Sequence, residues 1–134
     1  MKLAVSTTGR DLEAQLDPRF GRCSYFLIID PDTMEFEVFD NGSATLGSGA
    51  GIQAAQFVAA KGAGAVITGH CGPKAMEVLT AAGIQVFAGQ NGSIRDVVGA
   101  YKNGDLTSTT AATTEAHSGM GGRRGMGRGR GRAM

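Results

Sequence analysis

Tryptophan is absent from this 134-residue chain, tyrosine occurs twice, proline three times and cysteine twice, and aromatic residues make up only 6%. A core built on large rings is excluded, so any core must be aliphatic, and the length allows one domain. Cys23 and Cys71 lie far apart and outside any CxxC motif, which excludes a disulfide framework and leaves thiols or metal ligands in a reducing compartment. No apolar run reaches membrane length, and Met1-Lys2-Leu3-Ala4-Val5-Ser6 turns polar without the apolar stretch of a signal peptide. A cytoplasmic, soluble chain with no membrane partner is expected. Acid is absent from residues 117–134, which hold five of the thirteen basic residues. The formal net charge of +1 therefore hides a body, residues 1–116, with eight basic and twelve acidic groups. A basic patch over that body is excluded.

What the chain has in abundance is glycine, 22 residues of it. Between the glycine-rich turns, Lys2 to Thr7, Tyr25 to Asp30 and Glu35 to Asp40 read as strands, the latter two as a hairpin around Pro31-Asp32 with a solvated acidic edge. Gly51 to Lys61 reads as an alanine-rich helix behind a loop, residues 41–51. Ala65 to Thr68, Pro73 to Ala82 and Ile84 to Phe87 form a βαβ unit, with Pro73 suited to a first helical turn. Ser93 has the chemistry of an N-cap for a last helix carrying Ile94, Val97, Val98 and Tyr101. The order predicts an α/β domain over residues 1–106, a five-stranded mixed sheet in the order 3-2-1-4-5 with helices on its faces. Residues 107–134, rich in Thr and Ser and then in Gly and Arg, read as a disordered tail.

In such a sheet, ligands settle at the ends of the parallel strands, where loops 7–10, 69–72 and 89–92 emerge and loop 41–51 enters its helix. Thr8, Gly49, Gly51, Gly69, Gly72 and Gly89 are the candidates for close backbone approach to an anion there, beside two helix N-termini. Arg19, Arg22 and Lys74 are candidate cations, with Phe20 and Gly21 between the arginines; each cation can equally be a solvated surface residue. His70 and Cys71, together with Cys23, are candidate soft metal ligands, or the two cysteines are small buried thiols.

Asp17-Pro18-Arg19-Phe20-Gly21-Arg22, Gly49-Ala50-Gly51-Ile52-Gln53-Ala54-Ala55, Val66-Ile67-Thr68-Gly69 followed by Gly72-Pro73-Lys74-Ala75, and Ala82-Gly83-Ile84 with Tyr101-Lys102-Asn103-Gly104-Asp105-Leu106 resemble the nitrogenase iron-molybdenum cofactor biosynthesis family over about residues 1–106. The resemblance implies a ribonuclease H-like fold and a carrier or assembly role for an anionic molybdenum-containing sulfide cluster, of Mo-Cu or Fe-Mo type. It also implies a delivery ATPase or other assembly proteins as partners. Direct ligation by Cys71 and Cys23 is one way to hold such a cluster and a noncovalent cradle is the other.

Three readings apply to the tail: nucleic-acid binding through charge, Cu(I) capture by His117, Met120, Met126 and Met134, and a cationic arm that attracts an anionic cluster or an acidic partner. No aromatic residue interleaves the Gly-Arg repeats, which argues against specific nucleic-acid recognition, and the arm is the preferred reading. Turnover is not expected. The strands Lys2 to Thr7 and Ala65 to Thr68 lack the carboxylates a two-metal nuclease of that fold needs, and no acid is in place to orient His70 toward Cys71. The expectation is thus a non-catalytic cluster carrier. The alternative is a metal-free protein-interaction module with a cationic tail.

Overall fold

The computed structural model describes residues 1–42 and 49–109. Its elements are β1 (Lys2–Thr7), β2 (Tyr25–Ile29), β3 (Phe36–Asp40), α1 (Ala50–Ala60), β4 (Ala63–Ile67), α2 (Pro73–Ala81), β5 (Gln85–Phe87) and α3 (Ile94–Lys102). The five strands form one sheet in the order β3-β2-β1-β4-β5, antiparallel from β3 to β1 and parallel from β1 to β5. This is the mixed α/β sheet that the sequence predicts. No helix among the described residues is long and apolar enough to cross a membrane.

Alternation along the strands sends side chains to two cores, one on each face. Ala4, Phe26, Ile28, Val66 and Val86 pack with Ala54, Ala55, Val58, Ala75 and Leu79 of α1 and α2. Leu3, Val5, Leu27, Ile29, Ile67 and Phe87 pack on the other face with Ile94, Val97 and Val98 of α3 and with Leu12 and Leu16. The small alanines of α1 let that helix lie close to the sheet and to α2. The central strand β1 is buried on both faces from Leu3 to Thr7, as a strand covered by helices on either side should be.

Ser93 caps α3 by accepting the Asp96 backbone N–H at 3.1 Å, and Pro73 occupies the first turn of α2. Strand β4 begins two residues before the predicted Ala65, at Ala63, because a register shift between Lys2 and Leu3 extends the ladder across Gly64. After α3 the chain returns to the sheet. The Thr109 backbone N–H donates to Val86 O at 2.6 Å, and the Thr109 hydroxyl oxygen accepts the Ala88 N–H at 3.1 Å. The ordered body therefore extends past Leu106 to at least Thr109, through backbone pairing that composition does not reveal. The remainder of the predicted tail and the centre of the 41–51 loop lie outside the described residues.

Candidate functional site

The carboxyl ends of β1, β4 and β5 lie side by side, and their loops are tied to one another by main-chain hydrogen bonds. Phe20 N–H donates to His70 O at 3.2 Å, Gly89 N–H to Gly69 O at 2.8 Å, and Leu16 N–H to Gly92 O at 2.8 Å. A bridge pairs Arg19 with His70 in parallel. The structure thus brings the 17–23 loop against 69–71, with the 89–92 loop beside them.

Two glycines make this approach possible. A Cβ on Gly21 would stand 2.8 Å from the Gly51 nitrogen, and one on Gly69 would stand 2.7 Å from the Pro18 Cα. Both clashes are with backbone, which cannot swing aside. Gly51 in turn lies against Ala75, where α1 meets α2. These glycines serve loop-to-loop packing, a different use from the ligand approach expected of them. Gly49, at φ 79°, starts α1 in the left-handed region, and Gly72 has open space where a Cβ would be.

Asp17 organises the rim. Its carboxylate is 1% exposed and accepts three hydrogen bonds from Arg19, from the backbone N–H at 3.0 Å and from Nε and Nη2 at 3.1 Å each. The fork also raises the Arg19 pKa above its usual value, through the side-chain hydrogen bonds and then the charge of Asp17. Beneath it, Ser6 Oγ donates to Asp17 O at 2.6 Å and lies 2.8 Å from Thr68 Oγ1, so the ends of β1 and β4 share one buried polar network. The Asn41 amide donates to Gly21 O at 3.1 Å and Cys23 O at 2.9 Å, closing the loop from the β3 side. Asp17 and Thr68 stand in the sequence motifs that carry the family resemblance, yet neither they nor Ser6 are among the candidate site residues read from sequence. The Asp-Pro-Arg spacing is the one signal that could have revealed the fork.

The other candidates divide. His70, Arg22 and Lys74 are exposed on the rim. Thr8 is exposed, but its hydroxyl donates to Gln15 O at 3.1 Å within its own loop. Phe20 is a core residue, 2% exposed and packed on Phe26 with ring centroids 5.4 Å apart.

Cys23 and Cys71 are both fully buried in the core beneath α1 and α2 and are not joined by a disulfide. Burial, and for Cys23 also the nearby Asp17 charge, pushes the thiol pKa of Cys23 from 9.0 up to about 12. Burial alone takes that of Cys71 from 9.0 to about 11. Thiolates, the form that binds metal, are disfavoured at both positions. Among the described residues, no group of three or more His, Cys, Asp or Glu side chains is placed to hold a metal ion. This overturns the expectation of a metal-binding carrier. The Mo-Cu or Fe-Mo-S cluster expected as cofactor and as partner, and the delivery ATPase or other assembly proteins that the resemblance implies, have no support in these side chains. One of the three cations of the expected cradle, Arg19, is already paired with Asp17.

Comparison with known proteins bears on the whole domain. Residues 1–104 match the family model described as dinitrogenase iron-molybdenum cofactor. An uncharacterised protein of Methanocaldococcus jannaschii is 32% identical over 95 residues, spanning 69% of this chain and 80% of its own. Among solved structures, the apo form of the orange protein from Desulfovibrio gigas is 42% identical with a TM-score of 0.82, over 84% of this chain and 96% of that one. A putative NifB protein from Thermotoga is 31% identical with a TM-score of 0.73, over 85% of this chain and 97% of that one.

Proposed function

The chain belongs to the dinitrogenase iron-molybdenum cofactor family, and from that premise we propose that it is a non-catalytic, metal-free protein-interaction module. It docks an acidic protein surface through the rim formed by residues 17–23, 69–74 and 89–92, and the cationic C-terminal segment adds charge to the encounter. The observation that carries this reading is the cross-tying of the three loops by Phe20–His70, Gly89–Gly69 and Leu16–Gly92 backbone hydrogen bonds. A face held in place before contact loses little conformational entropy when a partner arrives. Arg22 and Lys74 stand exposed on it, and charges on an interface rim act mainly by steering a complementary partner and suppressing wrong ones. The same reading puts the chain in the cytoplasm, where cysteines outside any disulfide stay reduced.

A photo-crosslinking residue at position 74, in the cells that make this protein, tests the proposal against one at position 102, at the far end of α3. Position 74 is expected to give one discrete adduct, and position 102 none. Arg22→Glu should reduce the yield by about tenfold, the scale of one repulsive charge at a contact. Equal adducts from both positions, or none from either, would overturn the docking face. Elemental analysis of the same purified chain is expected to find no stoichiometric molybdenum or copper.

A further inference from the structure

Strand β3 pairs with β2 and with no other strand among the described residues. Its pairing fixes which groups face outward. Asp30 N–H donates to Glu35 O at 2.8 Å and Asn41 N–H to Ser24 O at 3.0 Å, so Glu35, Glu37 and Phe39 turn their backbone polar groups toward β2. The antiparallel alternation then leaves the N–H and C=O groups of Phe36, Val38 and Asp40 pointing away from the sheet. Such an edge is a template for one more strand.

The side chains of this edge differ from face to face and from end to end. Glu35 and Glu37 share a face with Phe39, which packs on Phe57 of α1 with ring centroids 5.5 Å apart. Phe36 and Val38 share the other, where Val38 lies against the core under α3. Phe36, 38% exposed, is one of two large hydrophobic side chains exposed among the described residues. At the turn end of the hairpin an open groove of about 660 Å³ is lined by three acids, Asp30, Glu35 and Glu37, against one base, Lys2. Cations gather at the other end of β3: Lys61 Nζ stands 4.4 Å from the Phe39 ring centroid, and Arg10 reaches Asp40 at 3.8 Å. The start of the edge thus carries uncompensated acid on one face and an exposed ring on the other.

We infer that the β3 edge takes up an extended, basic segment of another protein as an added strand, with lysine or arginine opposite Glu35 and Glu37 and an apolar residue between them opposite Phe36. Three outward backbone positions at a two-residue spacing fit the main chain of a strand and of nothing else, and an antiparallel arrival continues the pairing of β1, β2 and β3. Directly opposed residues point to the same face, so the alternation of β3 dictates the alternation of its partner. An acidic residue of that partner opposite Phe39 comes within reach of Lys61. A second copy of β3 is the wrong occupant, because it would bring the same acids together. The inference goes beyond the docking reading and does not rest on it: the acidic turn is at the opposite end of β3 from Asn41, whose amide ties onto the rim loop.

The probe is the synthetic peptide acetyl-Thr-Glu-Val-Lys-Val-Lys-Thr-amide, titrated into the full chain and followed by amide NMR. At saturation the Phe36, Val38 and Asp40 amides are expected to exchange about tenfold more slowly than in the free protein. Methylating both valine nitrogens, which this register turns toward β3, should weaken binding about tenfold or more, the scale of lost hydrogen bonds. Methylating the lysine nitrogens, which face away, should leave it within about twofold. The charge-reversed peptide acetyl-Thr-Lys-Val-Glu-Val-Glu-Thr-amide should bind the wild-type chain about tenfold more weakly, and the Glu35→Lys, Glu37→Lys chain should reverse that preference. Equal binding of the two peptides to the wild-type chain overturns the charge match, and equal loss from the two methylations overturns the strand pairing. Slow exchange of the three amides before any peptide is added, whether constant or growing with protein concentration, also overturns the proposal, since the edge would then be covered by the chain itself or by a second copy.

Discussion

Asp17 and Arg19 grip one another across a single intervening residue, the buried carboxylate taking the arginine's backbone N–H and both prongs of its guanidinium at 3.0–3.1 Å. The arginine side chain as a whole remains 64% exposed. Asp17 thus acts inward and Arg19 outward: the acid fixes the loop that crosses His70 and holds the paired guanidinium at a fixed place on the rim.

That division predicts unequal consequences. Asp17→Ala leaves the Arg19 N–H without its acceptor in a loop on which Phe20 and the β1–β4 network depend, and should cost about 1–3 kcal/mol in chemical denaturation. Asp17→Asn retains one acceptor and should cost less. Arg19→Ala should leave the midpoint closer to wild type than Asp17→Ala does, while weakening the crosslink at position 74. Equal destabilisation by Asp17→Ala and Arg19→Ala would mean that the fork does not anchor the loop.

The thiols make a prediction about pH. Both are protonated in the fold well above the pH at which an exposed thiol ionises, with pKa values of about 12 for Cys23 and about 11 for Cys71 against 9.0 when exposed. The folded state therefore holds its thiol protons more tightly than the unfolded state. That contribution to stability is complete below pH 9 and is lost as pH rises through 11 and 12. Stability measured by urea titration should be flat with respect to these groups from pH 7 to about 8.5 and fall above pH 9. The fall should shrink in a Cys23→Ala, Cys71→Ala chain. Labelling by a thiol reagent at pH 8 should be slow in the native protein and rapid in denaturant, and fast native labelling would place a thiolate at the surface.

Much of this arrangement is legible in sequence, and the residues that are not share a cause. The apolar, β-branched run of Lys2–Thr7, the alternation in Glu35–Asp40, Pro73 at a helix start and Ser93 as a cap are local signals, and the element order they give leads to the strand order 3-2-1-4-5 through the right-handed crossover. Phe20 reads as a rim residue because arginines surround it, yet it packs on Phe26 from a strand that begins after it. Leu12 and Leu16 look like loop residues and belong to the core under α3. Asp17 heads a motif in the sequence, yet only the tertiary fold shows that its carboxylate is buried. The glycines were legible as concentrated at one end of the sheet, but their use was not, since close packing and ligand approach demand the same missing Cβ.

Those two uses can be separated by substitution. Gly21→Ala and Gly69→Ala would push a methyl to 2.8 and 2.7 Å from backbone atoms of Gly51 and Pro18, and each should destabilise the fold by about 1–3 kcal/mol. Gly72→Ala meets nothing within 4 Å and sits at φ −74°, so its melting temperature should stay within about 2 °C of wild type, the shift of a few tenths of a kcal/mol. Wild-type stability in the Gly21 and Gly69 variants would show that the loops can separate without loss.

Thr109 carries the remaining prediction. Its backbone N–H reaches Val86 O and its hydroxyl receives the Ala88 N–H, so it closes part of the β5 edge that would otherwise be open. Thr109→Pro deletes the donor and should lower stability by about 1 kcal/mol, the usual net worth of such a bond, which is about 4–8 °C in melting temperature for a domain of this size. Thr109→Val keeps the N–H and loses only the hydroxyl, so the Val86 bond should survive and the Ala88 amide alone should gain exchange rate. An unchanged Ala88 amide in Thr109→Val would break the assignment of the hydroxyl as its acceptor. An unchanged melting temperature in Thr109→Pro would show that the segment after α3 rests on the sheet without holding it.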